Sequence, residues 1–300
     1  MKVIAFSGGG FKLVQHLAAY SEIRKAYKPD TFIGVSAGAI ATMICANDLH
    51  EDERVLDLVM SKGIAKRVFG GWRTNPFTKK GKVSASVIAH AILHGSLGDY
   101  AAVEKTLMSV ITKEVFYLSP DCGVLVVDKD TGKRHMVWST DVNYYHWIDA
   151  VIASCSIPGI VPPKRFMFRD KYLFKCLVSA QGFDGGLRDH SPAAWLCDYI
   201  NTNQIKELID VYTRPQFINQ YLTPYDGKNI VKNVLRAVEI QQNEISKGDE
   251  GDVASIFGDK VHQFFCPQVL SGTFDTDPKT LRAAYYETKE SIKHQINGTK

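Results

Sequence analysis

A serine becomes a nucleophile when three conditions meet. A sharp turn exposes its hydroxyl, a base lies within reach, and backbone N–H groups face the developing oxyanion. The stretch Gly34-Val35-Ser36-Ala37-Gly38 supplies the first condition. It fits G-x-S-x-G, the pattern of a nucleophile elbow, in which a strand turns abruptly into a helix. Flanking positions in so tight a turn have room only for tiny side chains. Gly34 and Gly38 have none, and Ala37 has a single methyl. The helix that follows Ser36 presents free N–H groups and a partial positive charge at its start, both useful to an oxyanion.

Three further stretches carry residues suited to chemistry. Ser7-Gly8-Gly9-Gly10-Phe11-Lys12 lies between an apolar strand and an amphipathic helix. Without Cβ atoms, such a loop can turn several N–H groups inward to bind an anion, either a phosphate or an oxyanion. No Gly-Lys-Ser/Thr follows, which excludes a Walker loop. The third glycine of a dinucleotide fingerprint is missing, and the next strand ends at Ser36 instead of an acid. In Gln181-Gly182-Phe183-Asp184-Gly185-Gly186-Leu187, two glycines let the backbone fold closely around the Asp184 carboxylate. Read alone, this favours a surface Asp-Gly turn. Finally, Pro158, Pro162 and Pro163 stiffen an apolar loop after Cys155, of the kind that walls a substrate pocket.

The elements that must position these residues follow from periodicity. Lys2–Phe6 and 31–35 read as short buried strands, and 39–46 as a helix of small residues. Leu13, Leu17, Tyr20, Ile23 and Tyr27 mark one face of an amphipathic helix. Helices are expected over 51–60, 83–93, 100–112, 147–154 and 230–245, with a last one from Asp277-Pro278 to about 294. Paired strands are expected at 123–128 with 134–138, and at 166–168 with 172–176; further strands fall at 208–212 and 261–265. Strands alternating with helices indicate an α/β fold with a mainly parallel sheet.

Bulk composition bounds the function. The 300 residues are 45% hydrophobic and 23% charged, as in a globular protein, and the net charge of +4 is too small to argue for nucleic acid. The six cysteines (45, 122, 155, 176, 197 and 266) lie far apart without a C-x-x-C pair, which suggests a reducing compartment and no zinc site. The start lacks the apolar length of a secretory signal, and no run approaches a membrane span. A cytoplasmic protein, touching membranes at most peripherally, is expected. One stretch suits such contact: 62–82 mixes seven Lys and Arg residues with Phe69, Trp72 and Phe77. A solvated loop with anchoring aromatics reads equally well.

Taken in order, the glycine loop 8–12, the elbow 34–38, the proline loop 153–163 and Asp184-Gly185-Gly186 resemble the patatin-like phospholipases. The likeness covers residues 2 to about 212. It implies a three-layer α/β/α sandwich and a lipid acyl hydrolase that uses a Ser–Asp dyad. Ser36 matches the nucleophile and Asp184 the dyad aspartate. The backbone of Gly8, Gly9 and Gly10 matches the oxyanion hole, and Lys12, Gly34, Gly38, Gly185 and Gly186 match motif positions. The implied substrate is a membrane lipid or phospholipid, and the implied mechanism needs neither metal nor cofactor. Acyl transfer, thioester cleavage and a catalytically silent lipid-binding module are the alternatives. Two departures stand out. Leu13 replaces a glycine after Lys12, which is expected to alter helix packing. His190 stands where the family has an asparagine, for which a loop-holding role is expected. A core over 1–213 and a C-terminal extension over 214–300 complete the expected organisation.

Overall fold

The computed structural model describes residues 1–61, 96, 100–170, 176–216, 230–270 and 276–298. The basic and aromatic stretch 62–82 and the expected helix 83–93 lie outside the described residues, as does most of 172–176. An eight-stranded sheet forms the centre. Its strands are β1 (Lys2–Phe6), β2 (Thr31–Gly34), β3 (Asp121–Asp128), β4 (Arg134–Trp138), β5 (Lys164–Arg169), β6 (Leu177–Asp184), β7 (Glu207–Tyr212) and β8 (Val261–Phe265). They run in the order β5-β6-β3-β2-β1-β7-β8, with β4 also paired to β3. The stretch from β3 to β8 is parallel, whereas β4 and β6 run antiparallel to β3, and β5 antiparallel to β6. This is the mainly parallel sheet that the alternating pattern predicts.

Helices cover both faces. The longer ones are α1 (Leu13–Ala26), α2 (Ala37–Ala46), α3 (Glu53–Met60), α4 (Ala101–Val110), α5 (Lys113–Leu118), α6 (Tyr144–Ser154), α7 (Ala193–Tyr199), α8 (Ile230–Phe257) and α9 (Pro278–Gly298). Successive residues of a strand point to opposite faces. Ile4 and Phe6 accordingly join one core with Leu17 of α1, Met43 of α2, Trp147 of α6 and Leu281 of α9. Val3 and Ala5 join the other with Leu196 of α7 and Val253 of α8. Two cores on one sheet make the three-layer sandwich. Both faces of the parallel strands are buried, which is why those strands read as near-continuous apolar runs.

Helices α5 and α7 were not expected, and three further elements differ from expectation. Helix α6 starts at Tyr144 instead of 147, because the Asn143 side chain accepts the His146 N–H and caps it earlier. Helix α8 continues to Phe257, well past 245. The partner of β5 is Leu177–Asp184; of the expected 172–176, only Cys176 lies among the described residues. Much of one face of that strand is exposed, so its sequence lacks a clear hydrophobic period. The shift matters, because it puts Asp184 at the end of a strand in register with Val126 of β3.

Gly8 follows β1, Ser36 follows β2 and Thr213 follows β7, so all three lie at one edge of the sheet. The crevice outside the carboxyl ends of parallel strands is where open α/β sheets bind ligands. Trp147 is fully buried and packs on Phe116 of α5, joining α6 to that helix within the core. Trp147→Ala should lower unfolding free energy by about 3–5 kcal/mol in a urea titration, as expected for a large side chain deleted from a close-packed core.

Candidate active site

Ser36 stands at φ 54°, ψ −121°, a backbone conformation that a residue with a Cβ rarely adopts. Such a conformation stores on the order of 1–3 kcal/mol and persists only where the surroundings over-determine it. Here they do. A Cβ added at Gly34 would come 2.2 Å from the Gly38 carbonyl oxygen, and one at Gly38 would come 2.0 Å from that of Phe6. The strand-to-helix turn is that tight, and only glycine fits at either position. The Gly38 and Ala39 N–H groups close the turn onto the Val35 and Ser36 carbonyls, at 2.8 and 2.9 Å.

A clamp that sequence reasoning missed holds the elbow from the side. The Ser36 N–H donates to Ser154 Oγ (2.8 Å), and Ser154 Oγ donates to the Leu125 carbonyl (2.7 Å). Cys155 Sγ donates to the Ser36 carbonyl at 3.3 Å. One residue further, the Ser156 carbonyl accepts the Asp184 N–H at 3.0 Å. The C-terminal end of α6 therefore ties the elbow to the end of β6. The only signal in the sequence is the pair of polar residues, Ser154 and Ser156, flanking Cys155 in an otherwise apolar run.

Asp184 is brought beside Ser36. The residue is 1% exposed, and Oδ1 accepts the Gly186 N–H at 2.8 Å. Gly185 lets the chain run close beside β3, since a Cβ there would meet the Leu125 carbonyl oxygen at 2.4 Å. Burial disfavours the charged carboxylate and pushes its pKa up to about 7; the Ser36 hydroxyl and the Gly186 N–H oppose that shift. Oδ2 is buried and makes no fully formed hydrogen bond. The hydroxyl is thus near enough to stabilise the charge without being aligned, a common state for such pairs before substrate binds.

The glycine loop reaches the same place. A Cβ on Gly8 would lie 3.7 Å from Ser36 Cβ. The three glycines are not equivalent, however. The Gly8 N–H is already used, donating to the His190 carbonyl at 2.9 Å. Gly9 and Gly10 make no N–H bond to another backbone group among the described residues, and Gly10 takes the left-handed conformation (φ 56°) that turns the chain. Two of the three expected donors are therefore free to face an oxyanion.

Lys12 turns into a small cavity with Gln15, Arg214 and Glu239, and burial lowers its pKa. Leu13 opens α1 and packs, partly buried, on the core. His190 is buried with its ring against Gly8. Burial, then Lys12 and Arg214, depress its pKa to about 3, so the ring is neutral. Its backbone carbonyl, not its imidazole, makes the hydrogen bond to the glycine loop. Among the described residues, no three His, Cys, Asp or Glu side chains cluster as metal ligands, and no helix is long and apolar enough to cross a membrane.

Comparison with known proteins agrees with this architecture. A family model described as "Patatin-like phospholipase" matches residues 4–196. The crystal structure of VipD from Legionella pneumophila aligns with a TM-score of 0.51 at 12% identity, covering 99% of this chain and 67% of that one. At that identity the likeness speaks for the fold alone. No curated protein matches the sequence.

The raised Asp184 pKa carries a stability penalty whose sign is fixed. The folded state holds the proton to about pH 7, whereas an unfolded aspartate releases it near 4, so stability falls as pH rises through that window. Asp184→Asn removes the ionisation while retaining an acceptor for Gly186. The variant should match wild type in urea denaturation at pH 4 and exceed it at pH 8, by up to roughly 4 kcal/mol.

Proposed function

Because the chain belongs to the patatin-like phospholipases, we propose that it hydrolyses fatty acyl esters of phospholipids through a dyad of Ser36 and Asp184. The observation that carries this reading is a buried carboxyl group, raised in pKa, beside a serine held in a strained turn. A carboxylate of ordinary pKa is a poor match for a serine proton, and burial narrows the gap.

The chemistry runs in two halves. Asp184, as carboxylate, takes the proton from Ser36 Oγ while that oxygen attacks the ester carbonyl carbon. The carbonyl electron pair moves onto oxygen, where the Gly9 and Gly10 N–H groups receive it. Collapse of the tetrahedral species expels the lysolipid alkoxide, which takes the proton from Asp184, and leaves an acyl ester on Ser36. Water then attacks that ester as Asp184 removes its proton. The second collapse releases the fatty acid, and Ser36 Oγ recovers the proton. Correct protonation of the base is worth about 10²–10⁴-fold, and each oxyanion donor about 10²–10³-fold, so neither contribution is dispensable.

Turnover of phospholipid vesicles, followed by product analysis, tests this. Ser36→Ala and Asp184→Asn should each lose about 10³-fold or more in kcat, with the fold intact by circular dichroism. Wild-type turnover in either variant would overturn the dyad. In wild type, kcat/KM should rise with pH and level off above about 7, because only the carboxylate form of Asp184 accepts a proton.

A further inference from the structure

Gly8 is pinned at both of its backbone groups, and the ties lead outside the family-matched stretch 4–196, one directly to Thr213 and one through the 190–191 turn to Asp249. On one side, Thr213, just past β7, donates its hydroxyl to the Gly8 carbonyl at 2.6 Å. The Thr213 N–H donates to Ser7 Oγ at 3.1 Å, and its Oγ1 sits 2.4 Å from where a Gly9 Cβ would be. Thr213 is 2% exposed, so its hydroxyl is committed to the loop. On the other side, the Gly8 N–H donates to the His190 carbonyl. The turn that bears this carbonyl is clasped from α8. Asp249 Oδ2 accepts the Ser191 N–H at 2.8 Å, and the His190 N–H lies near enough to favour the charged Asp249 carboxylate. Ser191 Oγ in turn donates to Asp210 Oδ1 at 2.7 Å.

These contacts form one continuous path: α8, through Asp249, to the 190–191 turn, to Gly8, and back through Thr213 to β7. Gly9 and Gly10, the peptides with N–H groups to spare, follow directly from the residue so fixed. An oxyanion donor works only if it is already aimed when charge develops, and a displacement of about 1 Å costs on the order of 10²-fold. A loop of three consecutive glycines has little stiffness of its own, so its aim must be imposed by its neighbours.

We infer that Thr213 and Asp249 are positioning residues that set the orientation of the glycine loop for chemistry at Ser36. The inference rests on the reading of Gly9 and Gly10 as oxyanion donors. It gives the segment beyond residue 196 a part in turnover, not only in packing. Neither residue touches the reacting atoms; each acts through Gly8.

The test uses the full chain with Thr213→Val, which keeps the shape and deletes the hydroxyl; Thr213→Ser, which restores it; and Asp249→Ala. Rates of vesicle hydrolysis and of Ser36 labelling by a fluorophosphonate are read together with amide hydrogen exchange at Gly8. Thr213→Val and Asp249→Ala should lower kcat and the labelling rate by about 10- to 100-fold with KM little changed, and Thr213→Ser should recover most of the loss. Gly8 exchange should quicken in Thr213→Val and Asp249→Ala. Wild-type labelling and unchanged Gly8 exchange in Thr213→Val would overturn the inference, as would failure of Thr213→Ser to rescue. Should Asp249→Ala not fold, the two Thr213 variants decide. If wild-type protein neither turns over lipid nor is labelled, the functional reading has failed, and Gly8 exchange alone still tests whether these residues hold the loop.

Discussion

Water is kept from the Asp184 carboxyl group, and most of what is unusual in the protein follows from that exclusion. A solvated aspartate surrenders its proton near pH 4 and takes one back from serine with difficulty. Enclosed beneath the end of β6, with one backbone N–H as its settled partner, the same group holds its proton to about pH 7. The fold gives up stability to keep it there, a common bargain at functional sites. Among the described residues, no cation neutralises the carboxylate. The opposing influences are a hydroxyl and an amide N–H, both of which favour the charge without locking it in an ion pair.

The second constraint is steric. Ser36 occupies a backbone conformation that would relax if any neighbour allowed it. Bare glycine backbones meet at near contact on both sides, and Ser154 holds the Ser36 N–H from the end of α6. The Ser154–Ser156 segment touches the elbow with two residues, Ser154 and Cys155, and the Asp184 strand with the third. The spacing of nucleophile and acid is thereby set by one short piece of chain. Neighbouring strand ends supply the other parts: the glycine loop follows β1, and Thr213 follows β7.

Local features were legible in the sequence. The elbow announces itself because its steric demand falls on residues two positions either side of Ser36, and the glycine loop because its three glycines are adjacent. The alternation of strands and helices, and the family likeness carried by four motifs in order, pointed to the sandwich. What could not be read is long-range. Ser154 meets Ser36 across 118 positions, and Thr213 meets Gly8 across 205. No periodicity encodes such pairs. The glycine loop also looked like three equal donors, whereas the turn at His190 uses one of them. The role of that turn was visible only as a substitution at His190, and its imidazole drew attention that belongs to its carbonyl. Strand β6 was not anticipated because one of its faces is largely exposed and its sequence shows no hydrophobic period.

The most direct measurement is titration of the Asp184 carboxyl carbon by NMR in protein carrying labelled aspartate, with Asp184→Asn assigning the signal. The account predicts a midpoint near pH 7 in wild type. It further predicts a higher midpoint in Ser36→Ala, because the lost hydroxyl favours the charged form. A midpoint near 4, or one indifferent to removal of the Ser36 hydroxyl, would contradict the pairing of these two groups.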